Sequence, residues 1–181
     1  MIKYGKLVER IVDNVNELPT KVVDGKPWYV LNLSQMRLLL DFMESVEREE
    51  KGWDFDKSFN KVETNWREYS SEMKAFYQSK YAVADNILKN CIIHIRVPRE
   101  IKKYVEKTDN VKLVDIKGTK WFAVTEREKE LIKEYLKEID KIPERVWRNQ
   151  PVSVIDYQCI TGNNADRIVR NSVIISSSID N

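Results

Sequence analysis

Apolar residues recur at helical spacing from the start of the chain. Leu7, Ile11, Val15 and Leu18 stand among Lys and Glu, and Pro19 ends the pattern, which predicts a short amphipathic helix. In "KVVDGKPWYVL" the Asp24-Gly25 pair lies between two β-prone runs and predicts a hairpin near 22–31, with Pro27 holding its second strand to an edge or delaying its start. Asn32 or Ser34 can then cap a helix whose apolar face is Met36, Leu39, Leu40, Met43 and Val46. The most regular run follows. Phe55, Phe59, Val62, Trp66, Tyr69, Met73 and Phe76 alternate spacings of four and three, and Val83 and Ile87 continue the register. A period of 3.5 predicts one long helix from about Asp56 to Asn90, roughly 50 Å in length at 1.5 Å per residue. Its aromatic seam has two uses: to pack against Met36 to Val46 and Leu131 to Ile142 within the chain, or to pair two chains as a homodimer.

Further on, "CIIHIRV" is a β-branched run closed by Pro98, and "REIKKYVEK" is a helix with Ile101, Tyr104 and Val105 on its apolar side. "VKLVDIKGTKWFAV" predicts a second hairpin, near 111–124, turning at Lys117-Gly118. Thr125 with Glu128 forms a capping box for a helix from Glu126 to Ile142. Pro143 and Pro151 bracket a turn or linker. From Pro151 the chain loses Lys and Glu and gains β-branched and small polar residues. The expected class is α+β, mainly helical: a helical bundle with hairpins over 1–150, then a small segment over 151–181 that is either a β-hairpin or a helix-turn-helix.

Composition changes this picture little. The chain has 181 residues, 42% of them hydrophobic, with five Trp, eight Tyr and five Phe, enough to fill a core. Thirty-one Lys and Arg against 29 Asp and Glu leave a net charge of +2, so any nucleic-acid site must be a local patch. Two distant cysteines, Cys91 and Cys159, make neither a disulfide framework nor a zinc site. With no apolar leader and no run long enough for a membrane span, the expectation is a reduced, cytoplasmic protein without a membrane partner.

Residues suited to catalysis are few. His94 is the sole histidine and lies between Ile93 and Ile95, which suits a strand residue better than a general base. Asp54 with Asp56, or Glu126, Glu128 and Glu130, could offer oxygens to magnesium, but such groups are common on solvated surfaces. Neither a phosphate-binding loop nor a dinucleotide fingerprint occurs. No cofactor, metal ligand or catalytic residue is assigned, and the reading leans away from an enzyme.

Two segments carry cations in arrangements that suit DNA. Arg96, Arg99, Lys102, Lys103 and Lys107 lie beside the apolar face of the short helix, and Lys117 and Lys120 lie on the following hairpin. The order helix, strand, wing, strand, helix over residues 97–125 resembles the winged helix-turn-helix regulators. That resemblance implies "REIKKYVEK" as the reading helix and "VDIKGTKW" as the wing. The stretch "ITGNNADRIVR", residues 160–170, is similar to the C-terminal helix-turn-helix of phage late-gene activators and of sigma-factor DNA-binding regions, which implies outward roles for Arg167 and Arg170. The rival reading is a turn at Gly162-Asn163-Asn164 between two strands, Val152 to Ile160 and Ile168 to Ile175. The leading expectation is a non-enzymatic protein that binds double-stranded DNA, such as a regulator from a phage or other mobile element. The alternative is a protein-binding module, or an inhibitor of a host enzyme or nuclease. In it Trp53, Trp66, Tyr69, Tyr77 and Tyr81 would be the anchors.

Overall fold

The computed structural model describes residues 1–176; the last five residues of the expected C-terminal segment lie outside this range. The architecture is α+β, with seven helices and three small sheets among the described residues. The chain divides into two compact units, Met1–His94 with Arg148–Gln150, and Ile95–Trp147 with the residues from Pro151 on. The expected division near residue 150 is not where the packing divides.

In the first unit, helix α1 (Lys6–Asp13) and a 3₁₀ turn (Val15–Glu17) lead into strands β1 (Thr20–Val23) and β2 (Lys26–Leu31). Asp24 and Gly25 both take positive φ, 53° and 78°, the type I′ turn that matches strand twist. Helix α2 (Leu33–Lys51) begins at the Asn32 capping box, in which Asn32 Oδ1 accepts from the Gln35 amide at 2.8 Å and Gln35 Oε1 accepts from the Asn32 amide at 3.0 Å. It ends at Gly52, whose φ of 87° is open to glycine without strain. A hairpin of β3 (Trp53–Phe55) and β4 (Lys61–Glu63) follows, then helix α3 (Ser71–Lys89) and strand β5 (Cys91–Ile93) parallel to β2. Leu31, Met36, Leu39, Phe42, Met43 and Ile87 are fully buried in its core.

The second unit repeats this order. Helix α4 (Lys102–Glu106) and a 3₁₀ turn (Thr108–Asn110) precede β6 (Leu113–Ile116) and β7 (Thr119–Thr125), joined by a turn with positive φ at Lys117 (54°) and Gly118 (84°). The Thr125 and Glu128 capping box starts α5 (Glu126–Asp140). After the short α6 (Glu144–Trp147), α7 (Val152–Arg170) leads to β8 (Ser172–Ile175), parallel to β7. Helices α3 and α7 have the same length, 19 residues. Main-chain bonds recur position for position. The Tyr29 amide donates to Asn90 O at 2.9 Å, and the Phe122 amide to Asn171 O at 2.8 Å. The amides of Val30 and Ala123 donate to Pro19 O and Lys112 O, both at 2.8 Å. The second core, built on Ile101, Val105, Val124, Ile132, Tyr135, Ala165 and Ile168, matches Val8, Val12, Leu31, Leu39, Phe42, Ala84 and Ile87 of the first, all of them buried. The two units are copies of one α-β-β-α-α-β fold.

Three expectations need correction. The long helix from Asp56 to Asn90 does not form: residues 56–70 hold the hairpin loop, β4 and a 3₁₀ turn (Trp66–Glu68), and α3 begins only where Ser70 Oγ accepts from the Met73 amide at 3.1 Å. The aromatic period is real, but Asp56 breaks the helix by accepting from the Ser58 and Asn60 amides, at 2.8 and 2.9 Å. Residues 152–170 are neither a hairpin nor a helix-turn-helix. They form one uninterrupted helix, with Gln158, Thr161, Ala165 and Ile168 buried along one face. Thr161 Oγ1 lies 2.9 Å from Tyr135 Oη, and Asn164 Nδ2 donates to Val105 O at 2.8 Å, so packing overrides the local turn preference of "TGNN". The expected order of helix, strand, turn, strand and helix is formed by α4, β6, β7 and α5, and the correction concerns the proposed reading helix. α4 is only five residues long, about 7.5 Å, with Val105 buried, and the segment is the second copy of the elements at 4–32.

Candidate interaction surfaces

The connection between the last two long helices differs between the copies. In the second unit α6 spans it; in the first it holds the β3–β4 hairpin. Trp53 pairs with Glu63, Asp54 with Val62 and Phe55 with Lys61. Its tip is a type of tight loop normally closed by glycine. The Phe59 amide donates to Asp56 O at 3.0 Å, Asp56 accepts the two further amides described above, and Phe59 then takes φ of 61°. An aromatic residue in this left-handed region is disfavoured, and here its ring gains nothing from burial, being 86% exposed.

The rest of the segment is also rich in uncovered apolar surface. Phe55 (55% exposed), Val62, Met73 and Phe76 are exposed, so all three exposed phenylalanines lie between Trp53 and Phe76. Behind them, Trp66, Tyr69 and Tyr77 are half-buried in a chain of ring contacts that runs through Phe76 to Tyr4 and Phe42, with centroid separations of 5.1 to 6.3 Å. Trp53 is half-buried and packs edge-on against Phe55 at 5.1 Å, with the Lys51 ammonium 3.9 Å from its ring centre. Tyr81 Oη donates to Glu47 at 2.7 Å. Burial raises the Tyr4 and Tyr69 hydroxyl pKa values above the ordinary tyrosine value, and Tyr4 Oη is buried with no hydrogen-bond partner among the described residues. The five aromatic anchors expected from the sequence are thus half-buried supports, whereas Phe55, Phe59 and Phe76 present the free surface. Their exposure has no signature in periodicity, because the same spacing predicts a helix seam.

The nine cations expected to contact DNA all lie in the second unit and are exposed. Arg96 and Arg99 precede α4, Lys102 and Lys103 lie on it, and Lys107 follows it, 3.8 Å from Asp109. Lys117 is in the hairpin turn and Lys120 on β7. On α7, Arg170 is ion-paired with Asp166 at 2.8 Å, whereas Arg167 stacks over Phe122 and reaches Thr108 Oγ1 at 3.4 Å. Lys120 and Arg167 line one recess of about 420 Å³. A recess of about 450 Å³ occupies the corresponding place in the first unit.

Four of the five carboxylates considered for magnesium have structural partners, Glu130 pairing with Lys133 at 3.5 Å. Asp54 pairs with Arg48 at 2.9 Å, Asp56 closes the hairpin loop and Glu128 closes a capping box. Among the described residues no three His, Cys, Asp or Glu side chains converge on a metal position. His94 is exposed. Cys91 is buried, its thiol pushed up to about 12 by desolvation, and Cys159 is exposed. No helix of the described residues is long and apolar enough to cross a membrane.

The internal repeat was open to detection in the sequence by aligning the chain with itself. Ala84-Asp85-Asn86-Ile87-Leu88-Lys89-Asn90-Cys91-Ile92-Ile93 matches Ala165-Asp166-Arg167-Ile168-Val169-Arg170-Asn171-Ser172-Val173-Ile174 almost throughout. No family model, curated protein or solved structure matches the chain.

Proposed function

We propose that the protein is a binding module that engages a protein partner through the β3–β4 hairpin and the start of α3. One observation carries this reading: Phe59, 86% exposed, occupies a left-handed position that glycine or asparagine would fill with less strain. A residue costly to the loop and useless to the core is best accounted for by a contact outside the chain. Phe55, Val62 and Phe76 add apolar area of the kind that anchors interfaces, supported from behind by the half-buried rings. The hairpin is also the part of the first unit that its copy lacks, so it is an addition to a fold that is formed without it.

The test is site-directed photocrosslinking in the native cell, with a benzophenone amino acid at position 59 and, as control, at exposed Lys117 of the second unit. A discrete adduct to another protein from position 59 only, diminished by Phe55→Ser with Phe76→Ser, is expected. Adducts of equal yield from both positions, or adducts only to a second copy of the chain, would remove the reading.

A second reading, nucleic-acid binding by the second unit, is favoured by charge. Residues 95–125 contain eight Lys and Arg against four Asp and Glu. If phosphates are contacted there, gel-shift affinity for duplex DNA falls steeply with salt and weakens when Arg99, Lys102 and Lys103 become Ala. No binding to any duplex at low salt would dispose of it.

A further inference from the structure

The two recesses are built from corresponding residues. Three pairs of lining positions keep their character: Leu18 with Val111, Tyr29 with Phe122, and Asn90 with Asn171. The two asparagines hold the same post, for Asn90 Nδ2 donates to Asn86 O at 2.9 Å and Asn171 Nδ2 to Arg167 O at 3.2 Å. Around this shared frame the polar positions have changed together. Where the first recess has Val15, Pro27 and Asn86, the second has Thr108, Lys120 and Arg167.

The change gives the second recess two cations and a hydroxyl. Arg167 is held from one side by the Phe122 ring, 5.9 Å from centroid to guanidinium carbon, and from another by Thr108 Oγ1. Neither Arg167 nor Lys120 has a carboxylate partner among the described residues. The recess does contain one carboxylate, Asp109, which replaces Asn16; its side chain is 79% exposed and lies 3.8 Å from Lys107. A guanidinium oriented by a ring and a hydroxyl, with a lysine in the same recess, is a fork matched to the oxygens of an anion. About 420 Å³ is room for a small molecule.

We infer that the duplicated recess has become an anion site in the second unit, taking a small molecule with a phosphate monoester or carboxylate group, with Arg167 as the fork and Lys120 as the second cation. The first recess is lined by neutral side chains, and the one ammonium beside it, Lys26, is engaged by Asn90 Oδ1 at 2.9 Å and by the Trp28 ring, so it lacks this fork. The inference is independent of the hairpin reading, which concerns the other unit, so either can fail alone.

The test is amide NMR on the full chain, titrated separately with inorganic phosphate and with succinate at constant ionic strength. Saturable shifts confined to residues 108–111, 120–123 and 167–171 are expected, with none at 15–18, 27–30 and 86–90. Saturation by phosphate alone assigns a phosphate ligand, and by succinate alone a carboxylate. Arg167→Gln should weaken binding at least tenfold, and Lys120→Gln, on an exposed strand position that leaves the fold intact, about threefold or more. Shifts spread over the lysines and arginines of both units, or binding unchanged in both variants, overturn the inference. So does a short DNA duplex that shifts these amides where neither small anion does, which transfers the cations to the nucleic-acid reading.

Discussion

Replacing Phe59 by Asn should stabilise the protein while abolishing partner binding. A non-glycine residue in the left-handed region costs about 1–2 kcal/mol, and asparagine is among the few side chains that relieve it. The ring has little to lose, since it is 86% exposed and makes none of the ring contacts that tie Trp53 to Phe55 or Tyr69 to Tyr77. The loop hydrogen bonds all run through main chain or Asp56: Phe59 amide to Asp56 O, and the Ser58 and Asn60 amides to Asp56 Oδ1. They survive the substitution. Allowing for hydrophobic contact of the ring with the hairpin, the net gain is about 0.5–1 kcal/mol, or about 1–4 °C in melting temperature for a chain of this size. Phe59→Gly should gain less, because glycine loses about 0.5–1 kcal/mol more conformational entropy on folding. Thermal and urea unfolding followed by tryptophan fluorescence measure the gain, and photocrosslinking from position 55 measures binding. A loss of stability above about 0.5 kcal/mol in Phe59→Asn would show that the ring supports the fold, and the case for a partner would lose its main support.

Four other outcomes follow from the structure. Asn32→Ala and Thr125→Ala each remove one half of a capping box and should each cost about 1 kcal/mol, measured by urea unfolding; a cost at one site only would contradict the equivalence of the two units. Leu39→Ala and Ile132→Ala occupy matching, fully buried positions and should each cost about 2–5 kcal/mol in the same assay. The Asp56 carboxyl is held below its ordinary value of 3.8, first by the Asn60 amide, so the order it lends the hairpin is present above that value and is lost as pH falls below it. Protection of the Ser58 and Asn60 amides, the ratio of intrinsic to observed exchange rate at each pH, reads this out, and Asp56→Ala should abolish the pH dependence of that ratio. A thiol reagent at neutral pH should modify Cys159 alone in the folded protein and both cysteines in denaturant, since Cys91 is buried and its thiol is raised to about 12.

The elements readable from sequence are those closed by neighbours in the chain. Asp24-Gly25 and Lys117-Gly118 fix their turns by backbone preference, and Asn32 with Gln35 and Thr125 with Glu128 fix helix starts three residues apart. Each signal lies within four residues, so it does not depend on the rest of the fold. Helix α7 carries no such local signal because its stabilising partners are distant. Thr161 meets Tyr135 and Asn164 meets the Val105 carbonyl, contacts that no local window contains, and they outweigh a glycine and two asparagines in mid-helix. Gly162 even fits the site, for an added Cβ would stand 3.5 Å from Ile139 Cδ1, an ordinary contact.

The Trp53 to Phe76 segment misled for a different physical reason, and the same reason bears on function. Aromatic residues three and four apart are a helix seam when their rings are buried together. Here the rings divide between two tasks: Trp66, Tyr69 and Tyr77 support the unit, and Phe55, Phe59 and Phe76 face solvent. Spacing cannot separate the two sets; comparison of the copies singles out Phe55 and Phe59 on the added hairpin, whereas Phe76 lies on α3, the counterpart of α7, where Tyr157 is likewise exposed. Where the second unit joins its helices through α6, the first adds the hairpin, so the aromatics on it are not required to complete an α-β-β-α-α-β unit. The recesses diverge in the complementary way, keeping their position while exchanging neutral side chains for Lys120 and Arg167. Duplication supplies a control inside one molecule: what both units retain holds the fold, and what only one has is where binding is to be sought.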